Sequence, residues 1–412
     1  MTEDPKPHLV NRSWLEEPKV RALMEVLNSD GEETRIVGGA VRNALLGEEI
    51  ADIDLTSTAP PERVITLCED AGYKTIPTGV DHGTVTVVVE ERSFEVTTLR
   101  ADVSTDGRHA VVAFGRDFTE DAKRRDFTMN ALSIDVEGKV HDPLGGYKDL
   151  IERQVRFIGD PERRIREDYL RALRFFRFFA WFGDGRPDRD ALKAVVRTKA
   201  GLETLSAERI WTELLKILGA PDPERATLWM RTTEVLETVL PENWGLDQFH
   251  WLIHAERTFR MKVDPIRRLQ AMLRPDEAII RALARRLKLS NKDTERLISW
   301  SFEMVDVERY ASESVAGLAK HLYRGKPDAI ADALIHEAAK RLHKQDDSAE
   351  RVQALASFAE TFERPVFPVS GSDLKERGFK EGRILGNKLL DLQEEWIESG
   401  FKKSREELLD GL

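Results

Sequence analysis

Cysteine is almost absent from this 412-residue sequence, which contains Cys68 alone. An intrachain disulfide is therefore excluded, and a reducing compartment such as the cytoplasm is expected. The chain lacks any run of about 18 or more apolar residues, which argues against a transmembrane helix. Its polar first residues show no apolar core of a secretory signal. No membrane partner is therefore expected, and the length of 412 residues predicts two to four domains.

An excess of positive charge is also lacking, because the formal net charge is −11, whereas proteins that bind nucleic acid are commonly basic. The basic residues are nevertheless clustered. Arg153–Arg177 contains eight arginines against four acids, and Arg257–Lys288 contains ten Lys or Arg against three acids. Such clusters suit a surface that follows a phosphate backbone, although solvated helix faces have the same composition.

Secondary-structure signals divide the chain into a mixed first part and a helical remainder. Short runs rich in Val, Ile and Thr predict strands at Thr34–Val37, Asp52–Leu55, Thr84–Val89 and Phe94–Thr98. Apolar periodicity predicts helices at Pro60–Ala71, Arg163–Trp181, Ala207–Leu218 and Ala278–Leu289. The predicted fold class is therefore α+β, with a small mixed α/β head followed by all-helical segments.

A pair of carboxylates, Asp52 and Asp54, lies in one of the predicted strands. Residues two apart in a strand point to the same side, so both carboxylates are expected on one face. Oxygen ligands in this arrangement suit Mg²⁺, and two such ions can assist an in-line displacement at phosphorus. By itself, an Asp-x-Asp pattern is more often an exposed strand end.

A glycine pair precedes this carboxylate pair. Gly38 and Gly39 follow a predicted strand and open a short helix that contains Arg42. Glycines let the backbone approach a phosphate closely, and a helix N-terminus favours an anion. The guanidinium group of an arginine can donate paired hydrogen bonds to phosphate oxygens. Glu95, on the strand Phe94–Thr98, supplies a third carboxylate if that strand neighbours Asp52–Leu55. Together these features predict a nucleotidyl-transfer site.

Several ordered motifs resemble those of one family. They are Gly38-Gly39-x-Val41-Arg42, Asp52-x-Asp54, Arg124-Arg125-Asp126-Phe127-Thr128-x-Asn130-Ala131, Glu167-Asp168-x-x-Arg171-x-x-Arg174-x-x-Arg177-Phe178, and Ser206-Ala207-Glu208-Arg209-Ile210. In this order they are similar to the class II tRNA nucleotidyltransferases, which comprise CCA-adding enzymes and bacterial poly(A) polymerases in the polymerase-β-like superfamily. The resemblance covers roughly residues 34–220.

The resemblance implies a role for each matching residue. It implies that Asp52 and Asp54 bind Mg²⁺ and that Glu95 completes the catalytic carboxylates. Residues implied to bind the nucleotide are Gly38, Gly39, Arg42, Arg125, Asn130, Asp168, Arg171, Arg174 and Arg177. Of these, Asp168 and Arg171 would read the base edge, and the four residues Asp168, Arg171, Arg174 and Arg177 would form a stripe on one face of a continuous helix.

The implied function is addition of C, C and A to the 3′ end of tRNA from CTP and ATP, with no protein partner indicated. The domains expected are a head (1–155), a neck for base recognition (156–220), a body (221–295) and a tRNA-binding tail (296–412). The polar stretch Asp102–Ala110 is expected to be a mobile loop that assists the switch from C to A.

One residue departs from the family pattern, and three other functions stay open. The family usually has Asp where this chain has Asn43, which is expected to brace the loop without its charge. The alternatives are a poly(A) polymerase, an enzyme that adds only A, and a non-catalytic RNA-binding scaffold. The stretch Thr78–Val85 favours the CCA-adding type over the poly(A) polymerase, and the retained acids disfavour the scaffold.

Overall fold

The computed structural model describes residues 13–50, 52–80, 83–106, 109–410 and 412. The chain folds into two compact units. The first comprises Met1–Leu205 and Arg225–Val239, and the second comprises Ser206–Glu224 and Leu240–Leu412. Every strand among the described residues lies within the first unit, and the regular structure described in the second unit is helical. This distribution confirms the predicted α+β class.

A seven-stranded mixed sheet forms the centre of the first unit. Its strands are β1 (Thr34–Val37), β2 (Asp54–Ser57), β3 (Lys74–Gly79), β4 (Thr84–Val89), β5 (Arg92–Thr98), β8 (Ser133–Ile134) and β9 (Val140–His141). They lie side by side in the order β3-β4-β5-β2-β1-β8-β9. The strands β2 and β5 run parallel, and every other neighbouring pair is antiparallel. The parallel pair lies in the interior of the sheet.

The two faces of this sheet differ in character. Ile36, Leu55 and Val96 are buried on one face, where helices α1 (Pro18–Leu27) and α3 (Pro61–Asp70) pack. Both helices have proline in the first turn, where its missing N–H costs no hydrogen bond. Because side chains alternate along a strand, Asp54 and Glu95 stand on the opposite face.

The segment predicted to be a mobile loop is instead largely a two-stranded antiparallel hairpin. Strand β6 (Arg100–Asp106) pairs with β7 (His109–Phe114), and the register shifts between Asp102 and Thr105. Polar composition alone suggested a loop, but a hairpin satisfies its backbone hydrogen bonds internally whatever side chains it carries. Gly107 and Arg108, between the strands, lie outside the described residues.

Helices complete the first unit. They are α2 (Gly39–Leu46), α4 (Phe118–Arg124), α5 (Gly146–Ile151), α6 (Pro161–Glu167), α7 (Leu170–Phe182), α8 (Arg189–Thr198) and α11 (Val235–Val239), together with most of α10 (Pro223–Thr232). Aromatic rings join α7 to the segment before it. Phe127 lies 4.9 Å from Phe157 and 4.9 Å from Phe178 between ring centroids, distances typical of favourable ring contacts.

The prediction of one continuous helix at Arg163–Trp181 is wrong, although most of the segment is helical. The structure has two helices, α6 and α7, separated at Asp168 and Tyr169. Asp168 is extended, with φ −155° and ψ 107°, and its Oδ1 accepts a hydrogen bond from the Leu170 backbone N–H at 3.1 Å. An aspartate side chain that accepts a hydrogen bond from a backbone N–H of the first turn is common at the start of a helix. Here Asp168 marks the start of a new helix within a segment whose apolar periodicity predicted one helix.

The second unit is built from helices. They are α9 (Ala207–Leu218), α12 (Asp247–Thr258), α13 (Pro265–Gln270), α14 (Glu277–Leu287), α15 (Asn291–Glu303), α16 (Val307–Ser312), α17 (Val315–Arg324), α18 (Pro327–His343), α19 (Ala349–Glu360), α20 (Gly371–Glu376), α21 (Arg383–Glu398) and α22 (Arg405–Leu409). Within the described residues, no helix combines the length and apolar character that crossing a membrane requires.

A buried ion pair ties three helices of this unit together. Arg268 on α13 donates to Glu256 on α12, with 2.6 Å between Nη2 and Oε2. Its Nη1 also donates to the backbone carbonyls of Leu218 and Ala220 at the end of α9, both at 2.6 Å. Both ionic side chains are at most 3% exposed. Arg268 therefore satisfies carbonyl groups that the end of a helix leaves without partners.

Candidate active site

The carboxylates predicted from the sequence meet where β2 begins beside β5. Asp54 and Glu95 are register partners across this parallel pair, and both side chains are exposed. Strand β2 starts at Asp54, so Asp52 precedes the strand. Exposure still alternates as predicted, because Asp52 and Asp54 are exposed while Ile53 between them is buried. Glu95 therefore neighbours Asp54, as the predicted strand adjacency requires.

The environment of Asp54 disfavours its charged form. Although part of the side chain is exposed, desolvation of the carboxyl raises its pKa, and repulsion from Glu95 and Asp52 raises it further. Arg125 partly offsets this effect. Converging like charges are costly in the absence of a cation. A site of this kind stores electrostatic repulsion that a divalent cation would relieve.

The donor set suits a hard cation that also binds its substrate. Among the described residues, no three His, Cys, Asp or Glu side chains converge closely enough to hold a metal ion by themselves. Mg²⁺ commonly takes only one or two protein carboxylates and completes its coordination with water and substrate phosphates. Asp52 and Asp54 fit that pattern, with oxygen donors that face solvent.

The glycine turn lies directly beside Asp54. Gly38 caps α2 with φ 72°, a backbone conformation that glycine adopts without strain. A Cβ at this position would lie 3.7 Å from Asp54 Oδ2. Helix α2 then starts at Gly39, which confirms the predicted strand–turn–helix arrangement. The turn brings backbone N–H groups and the carboxylate edge close together, as a site for a metal-bound phosphate requires.

Arg42 lies on α2 and its side chain is partly buried in the first unit. Its Nη1 donates to Asn130 Oδ1 at 3.0 Å, and its guanidinium carbon lies 3.9 Å from the centroid of the Phe182 ring. Burial lowers the pKa of Arg42 to about 10. Its Nε has no hydrogen-bond partner among the described residues. Arg42 and Asn130, predicted separately, thus contact each other.

Asn43 braces the loop that follows α2. Its Nδ2 donates to the Glu49 carbonyl oxygen at 2.8 Å, and its Oδ1 lies 3.4 Å from Arg42 Nη2. An aspartate could accept from Arg42 but could not donate to Glu49. The amide at this position therefore has a structural use that the family's usual Asp does not.

Replacing Asn43 by aspartate is expected to change kcat/KM for CTP and ATP by no more than about fivefold. One neutral hydrogen bond is lost while a charge beside Arg42 is gained, and each contributes on the order of 1 kcal/mol. Steady-state kinetics with both nucleotides would check this. A large gain in catalytic efficiency would show that the charge, and not the brace, matters at this position.

Asp126 is a central residue that the sequence motifs contain but that pattern alone did not single out. Its carboxylate accepts from Arg174 Nε at 2.8 Å, from Arg174 Nη2 at 2.5 Å and from Asn130 Nδ2 at 2.8 Å. The residue is 8% exposed. The signal available in the sequence was an acid between two arginines and an aromatic residue, Phe127. Its partner, Arg174, is 48 positions away and could not be identified from spacing.

Arg125 lines a cavity of about 630 Å³ in the first unit. Its Nη2 donates to Asp121 Oδ2 at 3.3 Å, and its Nη1 donates to the Asn130 carbonyl oxygen at 3.4 Å. The cavity is also lined by Val37, the last residue of β1 before the glycine turn, and by Thr56, which lies two residues after Asp54 on β2. No sequence pattern indicated this cavity. Arg125 is close enough to the carboxylate edge to interact electrostatically with Asp54.

The remaining predicted residues lie on or next to α7. Arg171 donates to Glu167 Oε2 at 2.6 Å and to the Arg164 carbonyl oxygen at 2.9 Å. The guanidinium of Arg177 lies 4.8 Å from the Phe178 ring centroid. Asp168 stands in the break before α7, so the predicted four-residue stripe on one continuous helix reduces to three arginines on α7 with Asp168 at its start.

Sequence profiles of two families match the chain. The poly A polymerase head domain matches residues 34–156, and the region described as a "Probable RNA and SrmB- binding site of polymerase A" matches residues 186–244. The first match contains the carboxylates, the glycine turn and Asp126.

Similar proteins extend the match to nearly the full chain. The mouse protein "CCA tRNA nucleotidyltransferase 1, mitochondrial" is 34% identical over 95% of this chain and 88% of its own length. A CCA-adding enzyme of Enterococcus faecalis is 29% identical over 94% of this chain and 93% of its own length. A crystal structure of the Bacillus stearothermophilus CCA-adding enzyme in complex with CTP covers 92% of each chain, with 29% identity and a TM-score of 0.72. The chain therefore belongs to the family of class II CCA-adding tRNA nucleotidyltransferases.

Proposed function

We propose that this chain adds C, C and A to the 3′ end of tRNA, using CTP and ATP. The RNA 3′-hydroxyl attacks the α-phosphate, a new phosphodiester bond forms, and the bond to the β-phosphate breaks to release pyrophosphate. One observation carries this proposal: the Asp54–Glu95 pair lies on parallel strands directly beside the Gly38 turn. The CTP-bound structure of the similar B. stearothermophilus enzyme supports the choice of nucleotide.

The family implies dependence on a divalent metal, and we propose Mg²⁺ held by Asp52 and Asp54. When bound, Mg²⁺ would neutralise charge on the phosphates and make the attacking hydroxyl more acidic. Glu95 would add negative charge to the same edge and so favour cation binding. The raised pKa of Asp54, caused by desolvation and by its neighbours Glu95 and Asp52, supports this assignment.

The nucleotide is proposed to lie between the glycine turn and α7. Gly38 and Gly39 would offer backbone N–H groups to the triphosphate, with Arg42 supplying positive charge behind them. Arg125 would contact the nucleotide from the cavity side, and Asn130 would lie near the ribose. These residues would act by positioning the nucleotide and neutralising its charge, which account for most of the catalysis of phosphoryl transfer.

Base selection is proposed to depend on the start of α7. The Asp168 carboxylate can accept from the amino group of C or A, and Arg171 can donate to ring acceptors. Arg174 and Arg177 would add positive charge along the same helix. The contact between Arg171 and Glu167 supports this role, because it holds the guanidinium in place before a base arrives.

The helical remainder is proposed to hold the tRNA, with a neck at 156–220, a body at 221–295 and a tail at 296–412. We also propose a cytoplasmic location, on the basis of the single cysteine. Since the mouse relative carries "mitochondrial" in its name, fractionation of cells that express the chain would decide between the two compartments.

Deleting Ser104–His109 is expected to leave addition of CC largely intact and to abolish addition of A. The deletion removes the end of β6 and the first residue of β7, in a segment proposed to assist the switch between nucleotides. The assay is extension of tRNA transcripts that end before CCA or after CC. Equal loss of both steps would contradict this role.

Pyrophosphate release tests the proposed reaction. With CTP, ATP and a tRNA transcript that ends at the discriminator base, about three pyrophosphates per tRNA are expected, one for each phosphodiester bond formed. The matched control is the same transcript with CCA already present, which should release almost none. Continued release far beyond three would indicate a poly(A) polymerase, and no release from either transcript would refute the proposal.

A further inference from the structure

Asp126 connects two parts of the site that are distant in sequence. Its ion pair with Arg174 reaches α7, and its hydrogen bond with Asn130 reaches a neighbouring turn. The backbone of the next residue also holds the carboxylate, because its Oδ1 accepts from the Phe127 N–H at 2.9 Å. A carboxylate with this number of partners has little freedom to change its orientation.

The contacts continue from Asn130 to the glycine turn and return to α7. Asn130 accepts from Arg42, and the Arg42 guanidinium lies over Phe182 on the same helix that carries Arg174. The path therefore forms a closed ring: α7, Asp126, Asn130, Arg42 and α7 again. Each link is a direct contact within the first unit.

The charge on Asp126 is maintained despite its burial. Burial by itself would raise the pKa of this carboxyl, but Arg174 and the hydrogen bonds from Asn130 and Phe127 outweigh that effect and lower it. Asp126 is therefore ionised at neutral pH and presents a fixed negative charge to Arg174. Loss of that charge would release a guanidinium beside the residues proposed to select the base.

We infer that Asp126 is a positioning residue that sets the orientation of Arg174 directly and of Arg42 through Asn130. In this way one buried carboxylate keeps the triphosphate-binding arginine and the base-selecting helix in a fixed relation. The inference rests on the proposed function, since it concerns how that same site chooses its nucleotide. A purely structural ion pair would affect stability and not nucleotide choice.

The test is a double-mutant cycle with Asp126→Asn, Arg174→Lys and the double variant, each compared with wild type in extension of tRNA that lacks CCA. Asp126→Asn is expected to raise KM for CTP at least about tenfold and to reduce the preference for CTP over UTP by a similar factor, with a smaller change in kcat. Hydrogen bonds to charged groups have energies of this order. Because both residues act through one contact, the double variant should be little worse than either single variant.

Asp149→Asn is the matched control. Asp149 is a buried carboxylate of the same unit that accepts from Thr128 at 2.6 Å, outside the ring of contacts. It should leave the preference for CTP over UTP unchanged. Thermal unfolding of every variant separates loss of fold from loss of selection.

Three results would overturn the inference: unchanged nucleotide preference in a folded Asp126→Asn protein, additive effects in the double variant, or an equal change of preference in Asp149→Asn. The wild-type enzyme distinguishes these failures from failure of the proposed function. If wild type does not extend tRNA, the proposed function is wrong. If it does and the cycle is additive, only the inference is wrong.

Discussion

Replacing Asp54 by alanine is expected to reduce nucleotide incorporation at least about 10³-fold, because the variant loses a proposed metal ligand and transition-state charge stabilisation of this kind is commonly worth several kcal/mol. The fold should persist. Desolvation and repulsion from Glu95 and Asp52 raise the pKa of Asp54, which means that its charged form costs stability in the folded chain. Removing the carboxylate should therefore leave the thermal unfolding midpoint unchanged or slightly higher.

Asp70→Ala is the matched control for Asp54→Ala. It removes an exposed carboxylate at the end of α3, the helix that packs against the opposite face of the sheet. Activity within about twofold of wild type is expected, since a surface substitution away from the site has little effect. Retained incorporation in folded Asp54→Ala protein would refute the carboxylate assignment, and unfolding of that variant would refute the electrostatic account of its stability.

Replacing Arg268 by methionine is expected to destabilise the second unit by about 3–5 kcal/mol, the usual cost of removing one partner from a buried ion pair. Glu256 would be left as a buried carboxylate, and its pKa is already raised by burial even with Arg268 present. The carbonyl groups of Leu218 and Ala220 would also lose their donor. Urea unfolding followed by far-UV circular dichroism measures the change.

Arg281→Met provides the comparison for this prediction. Arg281 pairs with Glu277 on the exposed surface of α14, and such pairs contribute about 0–1 kcal/mol. The double variant Arg268→Met with Glu256→Gln should recover part of the stability, because it no longer buries a charge. A destabilisation by Arg268→Met no larger than that by Arg281→Met would contradict the role of the buried pair.

The carboxylate edge could be predicted because its signals are local. Alternation over Asp52–Leu55 places acids on one side and apolar residues on the other, and the structure shows that pattern of burial. The turn at Gly38 required a positive φ, which two consecutive glycines indicate. Strand β1 and helix α9 have the predicted boundaries because local residues mark their ends. Gly38 follows β1, and Ser206 and Gly219 flank α9.

The features that the sequence did not reveal depend on contacts between distant residues or on weak boundaries. The break before α7 contains no Gly or Pro, and only Asp168 marks it. Strand β3 includes Pro77, which is tolerated because β3 lies at the edge of the sheet. Pairing of Asp126 with Arg174 joins residues 48 positions apart, and no local pattern specifies it. The nucleotide roles of the arginines on α7 stay predictions.

The most direct test of the function is extension of a tRNA transcript that ends at the discriminator base, with products resolved to single nucleotides. CTP alone should give a product that stops at two added nucleotides, and CTP with ATP should give one that stops at three. A long A ladder, or extension only of transcripts that already end in CC, would contradict CCA addition and identify one of the two related activities. Absence of any product under these conditions would contradict a catalytic role.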